Sequence, residues 1–259
     1  DGATPAQLQA TLAGLLEVTH RTSYFGPRAL AAAAPAVVLG AVSRAPAPRK
    51  PVRYRAPDVA LITDQPTAQT HIWMTWPRGP SDDAERAAGM VFSEYIRTIL
   101  YQEVREARGL AYSVYGGYGP SQRKADDGAL FAYVGTQGDK AHDAVDAVLA
   151  ALHAPVDDQR FAHARDSLAE RFRVDRVAPR DIAGTVYRWD DQGDLVDPRA
   201  GRFARALAVD RDALARWMKA ALAGPVIVSI TGEHGKLDEA RLRRLAPITM
   251  VPVDALFGY

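Results

Sequence analysis

Leu100-Tyr-Gln-Glu-Val-Arg105-Glu-Ala-Arg-Gly109-Leu-Ala-Tyr112-Ser-Val-Tyr-Gly-Gly117 passes from helix to strand within a few residues. Upstream, Asp82 with Glu85 three positions on is a helix start, and Ala88, Val91, Tyr95, Ile96 and Ile99 then recur at helical spacing. Gly109 supplies a residue that tolerates left-handed backbone, the usual helix stop, and an aromatic strand over Tyr112 to Tyr118 follows at once. On physics alone the string is an amphipathic helix with a glycine C-cap, its Arg-Glu-x-Arg cluster setting cations against the negative end of the helix dipole.

Outward from this segment, the chain predicts further strands and helices. Val52 to Thr63 and Thr67 to Trp76 read as strands, the second alternating Ile72, Met74 and Trp76 against His71, Trp73 and Thr75, the pattern of a half-buried sheet. Another strand is predicted near Gly128 to Gly135. Helices follow at about Lys140 to Leu152, Asp157 to Val174 and Arg180 to Tyr187, and a last strand at Ile248 to Val253. Strands at both ends with helices between them imply an α+β fold, a mostly antiparallel or mixed sheet with helices packed on one face.

The first 45 residues have a plan of their own. Thr4-Pro5-Ala6-Gln7 combines a Thr N-cap, Pro at the first helical position and Gln three residues after the cap, and Leu8, Leu12, Leu15 and Leu16 give the helix an apolar face. An extended stretch at His20 to Phe25, a break at Gly26-Pro27 and a second helix at Arg28 to Leu39 are predicted next, ahead of the proline-rich Ala45 to Pro51. A gapless shift of 206 positions sets Thr4 on Asp210, Leu8 on Leu214, Leu12 on Met218, Leu16 on Leu222, Tyr24 on Ile230 and Gly26 on Gly232. Two helix-strand-helix units can resemble each other by chance, such units being common; alternatively the chain carries the tail of one repeat and most of a second. The second reading gives residues 1–45 as that tail, 46–52 as a linker and 53–259 as a domain.

Composition excludes several function classes. The 259 residues are 47% apolar and 24% charged, which suits a globular chain with a substantial core. A net charge of +1 with scattered Arg gives no footprint for nucleic acid or an anionic membrane, and no apolar run approaches a membrane span. A soluble chain is expected, its compartment left open, periplasmic and secreted addresses included. Asp1 is neither Met nor part of a signal peptide, so a processed or excised piece is the expectation. Zero Cys removes thiolate zinc cages and Cys nucleophiles. The six His (His20, His71, His142, His153, His163 and His234) show no pair at zinc-peptidase spacing. His142 with Asp146, and His163 with Asp166, read as solvated surface pairs. No metal site is expected in this chain, and no Gly-x-Ser-x-Gly elbow or phosphate loop appears either.

Arg105-Glu-Ala-Arg-Gly109-Leu-Ala-Tyr112 closely resembles an element of the non-catalytic halves of insulinase (pitrilysin) family metallopeptidases. The likeness extends to Val59-Ala-Leu-Ile through Trp76, to Arg160–Arg173 and to Leu207 through Gly232. It implies the non-zinc, substrate-binding half of a zinc metallopeptidase. Arg105 would hold a peptide carbonyl, Tyr112 would act catalytically as a donor to the oxyanion, and Gly116 and Gly117 would offer a backbone edge to the peptide. It also implies that zinc, three ligands and a Glu base reside in a partner half, in the same polypeptide or another subunit. A structural or binding subunit of the same family, without peptidase activity, is the alternative.

Overall fold

The computed structural model describes residues 2–19, 22–33, 49–54 and 57–256. The chain divides into two compact units, Asp1–Pro51 with Arg176–Arg188, and Val52–Asp175 with Trp189–Tyr259.

In the first unit, helix α1 (Pro5–Leu16) begins with the full reciprocal cap: the Thr4 hydroxyl accepts from the Gln7 N–H while the Gln7 carboxamide accepts from the Thr4 N–H. Its apolar face is open to solvent, with Leu8, Leu12 and Leu15 each more than half exposed. A short helix α2 (Leu30–Ala33) follows. The predicted strand at His20 to Phe25 is not formed over its described part, 22–25; His20 itself, like 34–39 of the predicted second helix and 45–48 of the proline-rich stretch, lies outside the described residues.

The second unit carries the core. Strands β1 (Val59–Asp64), β2 (Thr70–Pro80), β3 (Ser113–Gly119), β4 (Asp127–Thr136), β5 (Ile227–Gly232) and β6 (Ile248–Met250) form a sheet in the order β3-β4-β2-β5-β1-β6. The β1–β5 and β1–β6 pairs are parallel and the others antiparallel, so the sheet is mixed as expected. Helices α3 (Asp83–Leu100), α4 (Ala141–His153), α5 (Asp158–Val174), α7 (Arg199–Ala208), α8 (Arg211–Leu222), α9 (Glu239–Leu245) and the short α10 (Val253–Leu256) complete it, while α6 (Ile182–Asp191) starts in the first unit's segment and ends in the second's. Alternation decides the packing: Ile62, Ile72, Met74, Leu130, Val134, Val228 and Ile230 point to the helix-covered face and are at most 1% exposed. Ala88, Val91, Tyr95, Ile96 and Ile99 of α3 are buried, as the helical spacing predicts.

The shift of 206 residues is kept by the helices residue for residue, Pro5–Leu16 falling on Arg211–Leu222, each with a side-chain N-cap. The following strand is not repeated over 22–25, the described part of the corresponding segment. β5 exists because β1 and β2 bond it on both sides, and residues 22–25 have no such neighbours among the described residues. The first predicted strand is also shorter than expected: Val52–Tyr54 stay outside the sheet, with the N–H groups of Val52 and Tyr54 bonded to the carboxylates of Asp126 and Asp127.

Candidate functional site

The Arg105 region departs from the plain helix expected. After α3 the chain continues as one π-helical turn, Tyr101–Glu106, closed by an Ala107 N–H to Gln102 C=O bond. A π turn inserts one extra residue and so rotates the residues beyond it; such turns concentrate at functional sites. The turn ends where Gly109 and Leu110 donate their N–H groups to the carbonyls of Arg105 and Val104. Gly109 has φ +58 with open space around its missing Cβ, so its requirement is purely conformational. Arg105 is exposed; its guanidinium lies 5.2 Å from the centre of the Tyr101 ring, and it has no carboxylate partner among the described residues. Glu103 is taken by Arg160 at 2.7 Å.

Tyr112 stands just before β3, 51% exposed. Three successive residues at the end of β4 hold its segment. The Gly135 carbonyl accepts the Tyr112 N–H at 2.9 Å, the Thr136 hydroxyl donates to the Leu110 carbonyl, and the Gln137 side-chain amide donates to the Tyr112 hydroxyl at 2.8 Å. Arg105 and Tyr112 are thus borne by one short, bonded turn, each making its own contact. The structure shows no bond between them.

Gly116 and Gly117 lie on β3, the terminal strand of the sheet. Both have a packing reason. A Cβ on Gly116 would come 2.9 Å from Leu100 and 3.0 Å from the Phe131 carbonyl, and one on Gly117 would come 3.0 Å from the Ser93 hydroxyl. Ser93 also accepts the N–H of Tyr118, so α3 already occupies part of that strand's polar groups.

The sheet face opposite the helices carries an aromatic row that sequence reasoning did not single out. Trp73 and Tyr115 are 40% and 42% exposed, and Phe131 and Tyr133 lie between them. Ring centres are 5.0 Å apart for Trp73–Tyr133 and 4.7 Å for Tyr115–Tyr133, and His71 Nδ1 lies 2.7 Å from the Tyr133 hydroxyl. Alternation along each strand carries half of this signal; the β2–β4–β3 register, which lines the rings up, supplies the rest.

Of the two histidine pairs, His163 and Asp166 are both exposed, as expected, whereas His142 departs from expectation. His142 is 6% exposed rather than solvated: its Nε2 accepts the N–H of Asp238, while Asp146 pairs with Arg241. Among the described residues no group of three or more His, Cys, Asp or Glu is placed to hold a metal ion. No helix among them is long and apolar enough to cross a membrane.

A family model described as the peptidase M16 inactive domain matches residues 29–168, more than half of the chain. The chain belongs to the M16 peptidase family, as an inactive domain. Pitrilysin and its insulinase relatives are what the Arg105–Tyr112 resemblance had pointed to. Among solved structures, this M16 domain is similar to a peptidase M16 inactive domain from Pseudomonas fluorescens, at 17% identity and TM-score 0.61, over 75% of this chain and 47% of that one. It is also similar to pitrilysin, at 12% identity and TM-score 0.55, over 78% of this chain and 22% of that one. The periplasmic protease PqqL from Escherichia coli matches at 16% identity and TM-score 0.52, over 68% of this chain and 21% of that one. At these identities the likeness is one of fold, and the M16 domain spans about half or less of the chains it resembles. Among curated proteins none matches.

Proposed function

We propose that this M16 inactive domain is the substrate-gripping half of a zinc metallopeptidase, completing the active site of a zinc-bearing partner half for peptide hydrolysis. The observation that carries the reading is the turn from Tyr101 to Tyr112: a π-helical insertion, a left-handed glycine and three bonds from β4 fix two exposed side chains whose donors have few competing partners. Arg105 offers a planar fork of N–H donors, restrained by the Tyr101 ring, to a peptide carbonyl. Tyr112 offers a phenolic proton to the oxyanion that forms when the scissile carbonyl is attacked. A partner half that held zinc would supply the activated water there, leaving Arg105 and Tyr112 to hold the peptide and its developing oxyanion. Gly116 and Gly117, with the row Trp73, Tyr115, Phe131 and Tyr133, would form the wall along which an extended peptide runs.

On this reading residues 1–45 are the tail of a preceding repeat, 46–52 a linker and 53–259 the non-catalytic domain; the coincident α1 and α8 helices support it. In the complete peptidase, Arg105→Ala should raise KM for an internally quenched peptide by about tenfold, the value of one charge-assisted hydrogen bond of roughly 1.4 kcal/mol or more. An unchanged KM, with the variant folded, assigns the helix end a structural role and leaves the chain a non-catalytic subunit.

A further inference from the structure

Gln137 occupies the first position after β4, and both sides of it are fixed. On one side Thr136 is fully buried and bonded to the Leu110 carbonyl; on the other, the Gln137 carbonyl accepts the Lys140 N–H and opens the short helical turn that leads into α4. Gly138, next along, has no room for a side chain, since a Cβ there would come 2.9 Å from Lys236. The backbone of Gln137 therefore has little freedom. From this fixed point its amide nitrogen reaches the Tyr112 hydroxyl at 2.8 Å.

A phenol has one proton and accepting lone pairs in the plane of its ring. A donor that occupies one acceptor position leaves the proton to turn the other way, and a hydroxyl that is accepting a hydrogen bond is a better donor in its turn. The bond is exposed, where it adds little to folding, so its placement calls for another explanation.

We propose that Gln137 is a positioning residue: its amide N–H, donated to the Tyr112 oxygen, aims the Tyr112 proton away from the sheet end and towards a bound peptide carbonyl. This rests on the reading of Tyr112 as an oxyanion donor and adds to it the residue that sets the direction of donation.

Two near-isosteric substitutions separate the possibilities. Gln137→Glu presents only acceptors and would draw the Tyr112 proton onto itself, whereas Gln137→Met presents neither donor nor acceptor and leaves the hydroxyl free to rotate. Steady-state kinetics are measured on the complete peptidase, zinc-bearing half included, with internally quenched fluorogenic peptides, and each change is repeated in a Tyr112→Phe background. The expected result is that Gln137→Glu lowers kcat about a hundredfold, close to the loss in Tyr112→Phe. Gln137→Met should lower it several-fold only, KM should stay within about twofold for both, and neither should have any further effect once Tyr112 is Phe. Equal losses for Glu and Met, or losses that persist in the Tyr112→Phe background, overturn the role of Gln137 and leave that of Tyr112 standing. A Tyr112→Phe enzyme with unchanged kcat overturns both.

Discussion

Acidification should weaken the second unit through His142. The Asp238 N–H, at the N-cap of α9, points its proton at His142 Nε2. That nitrogen must therefore keep a lone pair, and in the neutral ring the proton sits on Nδ1, which is buried without a partner. Burial pushes the imidazole pKa below its ordinary value; Arg241 on α9 acts the same way, while Asp238, Asp146 and Asp143 oppose it. Because the folded value lies below the unfolded one, the stabilisation is fully present above about pH 6.5 and is lost as pH falls from there towards the folded pKa. One proton limits the slope to about 1.4 kcal/mol per pH unit. His142→Gln keeps an acceptor near the Nε2 position and removes the titration, while His142→Ala orphans the Asp238 N–H and empties buried space, at a cost of about 2–4 kcal/mol at pH 7.5. Urea unfolding followed from about pH 7.5 down to about pH 5 provides the assay, because groups common to all variants cancel in the differences. The wild-type chain should lose its advantage over His142→Gln as the pH falls. A gap between the two that stays constant across the range would show that His142 does not titrate in this way, and the account of the α4–α9 contact would fail.

Two glycines give independent checks on packing and backbone. Gly89→Ala places a Cβ 2.1 Å from the buried Tyr118 ring where α3 crosses β3, so it should cost about 1–3 kcal/mol or more in urea unfolding; a neutral change would mean that α3 does not approach the sheet this closely. Gly109→Ala meets no atom within 4 Å but keeps φ +58, so it should cost about 1–2 kcal/mol, all of it conformational, whereas a Gly109→Asn chain, better suited to left-handed backbone, should recover part of that loss.

Much of the sheet and its helices is legible in the sequence because burial follows period. Ile72, Met74 and Trp76 alternate with His71, Trp73 and Thr75, and the spacing from Ala88 to Ile99 names the buried face of α3. Elements that depend on partners are less legible. Residues 22–25 include strand-favouring Thr, Tyr and Phe but lack the flanking strands that hold β5, and α7, where only Ala206 is fully buried, has too few core positions to mark it. The site divides in the same way. Gly109, Arg105 and Tyr112 stand out as a string, while the π turn that carries Arg105 leaves no trace in apolar spacing. Gln137 is a polar residue 25 positions from Tyr112, joined to it only through the β3–β4 register. His142 reads as a surface residue beside Asp143 and Asp146 until Asp238, from a helix nearly a hundred residues later, covers it.

The central claim is that Tyr112 serves chemistry rather than packing, and kcat of the Tyr112→Phe variant in the complete, zinc-loaded peptidase tests it most directly. The substitution keeps the ring and removes an exposed hydroxyl whose bond to Gln137 is worth less than about 1 kcal/mol of stability. A donor aimed at an oxyanion is worth roughly 3 kcal/mol of transition-state stabilisation. The account predicts that kcat falls about a hundredfold while the melting temperature moves by no more than a few degrees; a variant whose turnover per folded molecule matches the wild type would contradict it.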